Sequence, residues 1–500
     1  MDTTVLDWLR RTAGRFPDKT VFSDGETALT FAQVDRLSSA VGTYLAGRVC
    51  PGSPVVIMSA RRSLTPAAFL GAVKAGCFYA PIDATMPASR LNQILSVIRA
   101  EHMLVDRAFE EIARALNFSG EIIVLEDILD TPADDALLSA AQARLISTSP
   151  LYVIFTSGST GVPKGVITSH ESLMRYIDAV GEVLSITDSD VLGNQSPLDY
   201  IAAVRDIYLP LYTGASTVIV PKSEFAMPVK LFETLTANGV TAICWSVAGL
   251  DLPVKLNAFA EVRPETIKKV CFSGSAISAK TLRAWQDALP DALFVNQYGP
   301  TEATASCTYY VVPGKVGEGD VLPIGVPYKN YGILLLNEDH TATAPGEIGE
   351  ICVTGASVTL GYYGAPDKTA ESFIQNPLNP YYREIIYKTG DLGRLREDGN
   401  LEFHGRKDRQ IKHMGHRIEL GEIEATALRI DGVAECVSLY KKEKELLYLF
   451  YCGEATAKEI TLYFRQVLPA FMVPRKIVAL PDMPRLPNGK TDMQALRAML

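Results

Sequence analysis

The sequence predicts an α/β protein, with a large N-terminal domain of two α/β sheet subdomains and a small β-barrel, followed by a small α+β domain. Three observations predict it. The chain has 500 residues, 47% of them hydrophobic, which is too many for a single hydrophobic core. Strand-like and helix-like segments alternate through most of the chain, and the composition becomes charged after residue 408. We therefore expect domains at 1–405 and 409–500.

The first sheet subdomain is predicted from a strand–helix–strand order. Residues 55–58 have the composition of a buried strand, residues 67–75 form a helix that ends at Gly76, and residues 78–81 form a further strand. This order predicts parallel strands with helices on both faces. Residues 127–150 are rich in Ala, Asp and Thr, which indicates a surface connection.

Three further regions complete the predicted fold. A second α/β half runs over about 190–330, and residues 334–362 contain short β-rich pieces with glycines, as in a small barrel. Residues 409–500 are enough for a small α+β domain.

Charge, cysteines and hydropathy exclude several classes of protein. The net charge of −9 argues against a nucleic-acid partner. The eight cysteines include no CxxC pair, so neither a zinc site nor a disulfide framework is indicated, and a reduced cytoplasmic setting fits. The N-terminus reads as a charged amphipathic helix, and no apolar run is long enough to span a membrane. We expect a cytoplasmic monomer without a membrane segment.

The stretch from Tyr152 to Val166 predicts a phosphate-binding loop. An apolar strand ends there in hydroxyl and glycine residues, whose backbone turns with positive φ and approaches a ligand closely. The spacing departs from the common P-loop, because Pro163 and Gly165 replace its second glycine and its Mg²⁺-binding hydroxyl. The predicted phosphate-binding residues are Thr156, Ser157, Gly158, Ser159, Thr160, Gly161 and Lys164.

A second polar motif, NQYGPTE, occupies residues 296–302. It follows the apolar strand 293–295, so its side chains should emerge at the C-terminal end of that strand. Open α/β sheets bind ligands at this edge, and we expect the motif to lie beside the phosphate-binding loop.

With the string TSGSTGVPKG and this second motif, the chain resembles the adenylate-forming superfamily over nearly its full length. The resemblance is closest to the amino-acid adenylation domains of nonribosomal peptide synthesis and to the D-alanine–carrier-protein ligases. Further matching segments are 29–35, 73–83, 387–392, 405–408, 410–424, 468–474 and 487–492.

The resemblance implies roles for the nucleotide-binding motifs, with ATP and Mg²⁺ as cofactors. Asn296 and Tyr298 would hold and stack the adenine, Thr301 would meet the α-phosphate, and Glu302 would help to bind Mg²⁺ as a hard carboxylate ligand. Asp391 would accept hydrogen bonds from the ribose hydroxyls, with Arg406 near the same ribose.

The C-terminal motifs imply a moving lid. The hinge would lie near 406–408, at Asp408, and Gly415 would let the backbone line a narrow thiol channel. Lys490 matches the catalytic lysine of the family, a charge that reaches both the substrate carboxylate and the α-phosphate. His413 and His416 stand at positions that are usually variable or basic, and we expect them to be solvated surface residues.

The substrate is predicted from the pocket positions. Asp199 stands where the family has an aspartate that anchors the α-amine, although Leu198 and Ile201 depart from the Phe-Asp-x-Ser pattern. A buried carboxylate needs a cation such as an ammonium group, which favours an amino acid. The other pocket residues describe an uncharged, partly polar pocket suited to a small or uncharged polar side chain: Tyr200, Ala203, Cys271, Ser273, Gln297, Ala305 and Ser306.

The implied reaction is activation of an amino acid as aminoacyl-AMP, with transfer to the phosphopantetheine thiol of a separate carrier protein. Two alternatives stay open. D-alanine ligases typically have a cysteine where this chain has Ser273, which weakens that assignment without excluding it. A coenzyme A ligase of the same superfamily would share every nucleotide motif but would not need Asp199.

Overall fold

The computed structural model describes residues 2–158, 162–486 and 491–500. The α-helices, in chain order, are α1 Val5–Arg15, α2 Phe31–Ala46, α3 Thr65–Lys74, α4 Ala88–Ile98, α5 Glu110–Arg114, α6 Asp135–Gln142, α7 His170–Val183, α8 Ala203–Thr213, α9 Pro228–Ala237, α10 Val247–Lys255, α11 Ala279–Ala288, α12 Pro366–Ser372, α13 Leu420–Ala427, α14 Ala457–Val467 and α15 Met493–Ala498.

The first fifteen β-strands, again in chain order, are β1 Thr20–Ser23, β2 Ala28–Thr30, β3 Pro54–Met58, β4 Phe78–Ile82, β5 His102–Val105, β6 Glu121–Val124, β7 Pro150–Thr156, β8 Lys164–Ser169, β9 Val191–Asn194, β10 Ser216–Ile219, β11 Ala242–Ser246, β12 Lys269–Ser273, β13 Leu293–Tyr298, β14 Thr308–Val311 and β15 Val326–Pro327. The remaining strands are β16 Tyr331–Leu336, β17 Ile348–Gly355, β18 Gly361–Tyr362, β19 Phe373–Gln375, β20 Ile385–Leu395, β21 Leu401–Arg406, β22 Gln410–His413, β23 His416–Glu419, β24 Val433–Lys441, β25 Leu446–Gly453 and β26 Lys476–Ala479.

The first sheet has seven strands in the order β18-β8-β7-β4-β3-β5-β6. Strands β3 to β7 run parallel, and β8 turns back antiparallel to β7. The predicted strand–helix–strand unit is confirmed as β3, α3 and β4. The predicted surface connection at 127–150 also contains α6, whose N-terminus is capped by Asp134.

The second sheet has nine strands in the order β15-β14-β13-β12-β11-β9-β10-β1-β2, and its central strands are parallel. The apolar strand predicted at 293–295 continues to Tyr298, because β14 pairs with β13 as far as Tyr298 and Thr308. Asn296 and Gln297 therefore lie within β13 and not after it, so their side chains alternate between the two faces of the sheet.

The region predicted as a small barrel belongs to a five-stranded antiparallel sheet, with β16, β17, β20 and β19 in order and β21 paired with β20. The C-terminal part contains the β22–β23 hairpin and a three-stranded sheet, β24-β25-β26. Two apolar clusters in this part draw all their buried members from residues 418–496. The mixed α/β fold with a smaller C-terminal part is thus as predicted.

Candidate active site

The predicted phosphate-binding loop joins β7 to β8. Ser159, Thr160 and Gly161 lie outside the described residues. A Cβ atom on Gly158 would stand 2.0 Å from the carbonyl oxygen of Val162, so this position requires glycine for close backbone approach and not for the positive φ that the sequence suggested. The hydroxyl of Thr156 is buried without a hydrogen-bond partner in the described part of the chain, which suits a phosphate oxygen as its partner.

Three predicted nucleotide-binding residues from distant motifs meet beside this loop. The Tyr298 hydroxyl donates a hydrogen bond to Asp391 Oδ2 at 2.5 Å, and Arg406 forms an ion pair with the same carboxylate. Asn296 lies on the same strand as Tyr298, and its side-chain amide donates to the carbonyl oxygen of Pro323 at 2.9 Å. The structure therefore brings these residues together, while their contacts with adenine and ribose stay predictions.

Glu302 is fully buried, next to Thr301 in a short 3₁₀ turn. Arg417 Nη1 donates to both of its carboxylate oxygens, at 2.9 and 3.0 Å, and the Tyr362 hydroxyl donates at 2.8 Å. Burial raises the pKa of Glu302, but Arg417 and Tyr362 outweigh it and hold the pKa below its usual value. Glu302 is therefore an ionised carboxylate that binds a cation from the C-terminal part of the chain. The Lys164 ammonium lies nearby, 5.4 Å from the ring centre of Tyr362.

Magnesium fits this environment only in part. No cluster of three or more His, Cys, Asp or Glu side chains suited to a metal ion occurs within residues 2–158, 162–486 and 491–500. Mg²⁺ is usually held by one or two carboxylates together with substrate phosphates, so the single carboxylate of Glu302 is sufficient if ATP supplies the other ligands. The guanidinium of Arg417 occupies both oxygens of Glu302 and would have to withdraw first.

The turn between β22 and β23 lies against the N-terminal part. Gly415 has a φ of 85°, and a Cβ atom there would stand 3.4 Å from Ser246 Cβ. Its carbonyl oxygen accepts a hydrogen bond from the Tyr200 hydroxyl at 2.9 Å. The neighbouring carbonyl oxygen of Arg417 accepts one from Ser157 Oγ at 2.8 Å. We call residues 413–417 the lid turn; it touches both the phosphate-binding loop and the predicted substrate pocket.

The two histidines of the lid turn are not the solvated side chains that we expected. The His416 ring stacks on Phe471, with the ring centres 3.8 Å apart, and also faces Tyr200. Burial lowers the pKa of His416 to about 4, so it is neutral at physiological pH. His413 is half-buried against Tyr440. A stacking partner some 55 residues away in the sequence could not be seen from the local motif.

Further contacts join the C-terminal part of the chain to the N-terminal part. Arg90 on α4 forms a buried ion pair with Glu422 on α13 at 2.6 Å. Ser89 Oγ donates to the carbonyl oxygen of Gln466 at 3.3 Å. Asp408, the predicted hinge, lies in a bend between β21 and β22 and pairs with Arg406. Lys490 lies outside the described residues.

The predicted amine anchor, Asp199, lies in a turn just before α8. Burial and the nearby carboxylate of Asp83 raise the pKa of Asp199 to about 7, and Lys222 offsets this only in part. A carboxyl group in this state gains from pairing with an incoming cation.

Two of the other predicted pocket residues, Ser273 and Ser306, lie next to Gln297. Ser273 on β12 pairs in register with Gln297 on β13, so their side chains share one face of the sheet. Ser306 Oγ lies 3.4 Å from Gln297 Oε1, and Gln297 Nε2 donates to the Tyr328 hydroxyl at 2.6 Å. Arg205 also donates to Gln297. The predicted pocket residues are uncharged, but the guanidinium of Arg205 lies next to one of them, a charge that the prediction did not include. The remaining predicted positions are Ala203 at the start of α8, Cys271 on β12, and Ala305 after the 3₁₀ turn.

Sequence reasoning missed three residues of this site. Arg205 and its neighbour Asp206 are the charged residues of the otherwise uncharged segment AAVRDIYLPLY, which was a usable signal. Tyr362 lies in the predicted β-rich region 334–362 and Arg417 in the matching segment 410–424, but neither was assigned a role. Their contacts with Glu302 join segments 60 and 115 residues apart, and only the fold reveals them.

Residues 9–363 match the family model of the AMP-binding enzymes, and residues 422–490 match the model of the AMP-binding enzyme C-terminal domain. The chain therefore belongs to the AMP-binding enzyme family, in the adenylate-forming superfamily.

Two similar curated proteins are peptide or antibiotic synthases. Tyrocidine synthase 1 of Brevibacillus parabrevis is 32% identical over 491 residues, which cover 97% of this chain and 44% of that protein. Zwittermicin A synthase ZmaJ of Bacillus cereus is 31% identical over 518 residues, covering 99% of this chain and 95% of that protein. The chain thus spans less than half of the first relative and nearly all of the second.

A solved structure supports the fold. The Vibrio cholerae adenylation domain AlmE, crystallised in complex with glycyl-adenosine-5'-phosphate, has a TM-score of 0.85 at 20% identity, over 100% of this chain and 98% of that one.

All eight cysteines are free. Within the described ranges, we find no helix long and apolar enough to cross a membrane.

Proposed function

We propose that this enzyme activates an amino acid as aminoacyl-AMP with release of pyrophosphate, and then transfers the aminoacyl group to the phosphopantetheine thiol of a carrier protein. The family membership gives adenylate formation. The relatives named for synthesis of tyrocidine and zwittermicin support an amino-acid substrate and a carrier. The lid turn supports the second step, because the carbonyl oxygen of Gly415 accepts a hydrogen bond from Tyr200, a residue of the predicted pocket.

In the first step, the substrate carboxylate attacks the α-phosphorus of ATP and pyrophosphate leaves. Tyr298, Asp391 and Arg406 would orient the nucleoside, and the phosphate-binding loop with Lys164 would hold the leaving phosphates. Bound Mg²⁺ would supply charge neutralisation on the phosphate oxygens, with Glu302 as its protein ligand. In the second step, the thiol attacks the acyl carbon, a thioester forms and AMP leaves.

The test is ATP–pyrophosphate exchange with a panel of amino acids, followed by loading of a phosphopantetheinylated carrier protein. We expect exchange with a small set of amino acids and thioester formation on the carrier. Free coenzyme A serves as the comparison acceptor. Exchange with no amino acid, or efficient thioester formation on coenzyme A and none on a carrier, would contradict the proposal.

Asp199→Asn should raise the KM for the amino acid far more than the KM for ATP, because the lost ion pair belongs to the substrate amine and not to the nucleotide. Steady-state exchange kinetics with each substrate varied in turn measure this. Equal effects on both KM values would show that Asp199 acts only through the structure.

The same variant has a pH signature. A carboxyl group whose pKa rises to about 7 in the folded protein stabilises the fold at low pH, and this contribution is lost as the pH rises from its ordinary pKa towards about 7. Asp199→Asn should therefore raise the thermal unfolding temperature at about pH 8 and leave it nearly unchanged at about pH 4. A pH-independent effect would mean that Asp199 titrates normally.

Asp408→Pro should retain much of the pyrophosphate exchange and lose carrier loading, because proline fixes φ near −65° and blocks rotation at the predicted hinge. Asp408→Ala is the matched control, since it removes the ion pair with Arg406 and leaves the backbone free. The two half-reactions are measured separately. Loading by the proline variant at the wild-type rate would show that no rotation about Asp408 is needed.

A further inference from the structure

Arg205, a buried positive charge in the first turn of α8, contacts Gln297 of the predicted substrate pocket. Its side chain is fully enclosed, with 1% of the residue exposed. Nη1 donates to Gln297 Oε1, and Nε is buried without a hydrogen-bond partner in the described part of the chain. A guanidinium group removed from water is costly unless an anion and full hydrogen bonding compensate it.

The surrounding residues do not supply that anion. The side chains that most influence Arg205 electrostatically are Tyr176, Cys244 and Cys271, with the carboxylate of Asp206 a weaker neighbour. No ion pair joins Arg205 to a carboxylate among the residues that the structure describes. Arg205 is therefore a buried cation with no direct ion-pair partner among these residues, although the carboxylate of Asp206 lies near it.

Asp206 is engaged elsewhere through one oxygen, while its Oδ1 is buried without a hydrogen-bond partner in the described part of the chain. Its Oδ2 accepts a hydrogen bond from Asn194 Nδ2 at 2.6 Å, and Asn194 in turn binds Arg61 through its side-chain and backbone oxygens. Arg61 is itself largely removed from water, and burial lowers its pKa to about 10. One carboxylate thus lies between two arginines, and the local net charge stays positive.

The position of Arg205 relative to the reaction site suits substrate recognition. Gln297 alternates with Asn296 and Tyr298 along β13, so it faces the side of the sheet opposite to the predicted nucleotide residues. Cys271 and Ser273 on β12 share that face. Arg205 therefore contacts the face of β13 that is opposite to the predicted nucleotide-binding residues.

We infer that Arg205, oriented by Gln297, binds an anionic group of the substrate, so that the activated acid carries a second carboxylate beyond the one that reacts. The inference rests on the proposed function and narrows it to acidic substrates such as aspartate or glutamate. A guanidinium group binds a carboxylate with two parallel hydrogen bonds, and the unpartnered Nε is one of the donors that such a pair needs.

The main test compares isosteric substrate pairs in ATP–pyrophosphate exchange: aspartate with asparagine, and glutamate with glutamine. We expect the wild type to prefer one of the acids over its amide by on the order of 10²-fold in kcat/KM. Arg205→Met should abolish this preference, and Arg205→Lys should retain part of it. Gln297→Glu should also abolish it, because the new carboxylate would pair with Arg205 inside the protein.

Arg61→Met is the matched control. It removes a second buried arginine next to the same helix, at a comparable expected cost in stability, and should keep the substrate preference. Thermal unfolding of every variant separates misfolding from altered recognition. Loss of the preference in Arg61→Met as well would assign the effect to structure and overturn the inference.

A readout independent of catalysis completes the design: the shift in unfolding temperature of wild type and Arg205→Met on addition of aspartate, glutamate or succinate. If at least one of these acids shifts the unfolding temperature of the wild type and Arg205→Met loses that shift, the inference is supported. This holds even if no amino acid is activated, because failure of activation would contradict only the proposed function. Exchange with uncharged amino acids and none with acidic ones would overturn the inference and leave the proposed function intact. Absence of any shift with the three acids would also overturn it.

Discussion

Lys490→Ala should lower ATP–pyrophosphate exchange by roughly 10²–10³-fold, the usual cost of removing one donor to a developing negative charge. It should leave transfer from preformed aminoacyl-adenylate to a carrier largely intact. The reason is that the proposed contact of Lys490 with the α-phosphate exists only during adenylate formation, whereas the second step needs the lid turn at the pocket.

The measurement follows each half-reaction separately, with purified aminoacyl-adenylate as the starting material for the second. Lys458→Ala is a suitable control, because this lysine lies on α14 of the same C-terminal part. Equal loss of both half-reactions in Lys490→Ala would exclude a role confined to adenylation.

Arg417→Ala should have the opposite effect, lowering carrier loading by on the order of 10²-fold while most of the pyrophosphate exchange remains. In the described arrangement Arg417 binds the fully buried Glu302 through both carboxylate oxygens. Breaking a buried ion pair by removing one partner costs about 3–5 kcal/mol. Because the pair between Arg417 and Glu302 forms in the arrangement that brings the lid turn to the pocket, the variant should destabilise that arrangement. The lid should therefore spend less time there.

Two further variants serve as controls for this experiment. Arg417→Lys keeps the charge and loses the two-oxygen contact, so its loading rate should lie between wild type and Arg417→Ala. Lys269→Ala breaks the ion pair with Asp190 inside the N-terminal part, away from the lid, and controls for a general loss of stability. If Arg417→Ala loads a carrier at the wild-type rate, the pair with Glu302 does not stabilise the loading arrangement.

The sequence allowed prediction of those parts of the site that short segments encode. The phosphate-binding loop, the β13 motif and the carboxylate of Asp391 were found because strand ends and glycine-rich turns have local signatures. Asp391 and Arg406 were both predicted to lie near the ribose; the structure joins them in an ion pair, and their contact with the ribose stays a prediction.

Contacts made by packing between distant segments escaped prediction. Arg205 reaches Gln297 only because α8 lies against β13, 92 residues away in the chain. The charge beside Gln297 was missed for this reason, because the motif positions were considered without α8. Likewise, the stacking of His416 on Phe471 depends on how β23 meets the segment after α14.

The ion pair between Arg417 and Glu302 also bears on the order of events in the catalytic cycle. If Glu302 holds Mg²⁺ during adenylate formation, as we propose, the same two oxygens serve two cations that exclude each other. The lid turn then cannot settle until the metal has left with pyrophosphate. Departure of pyrophosphate would thus be the step that allows the thiol to enter. A thiol that arrived while ATP was still intact would find the thiol channel not yet formed.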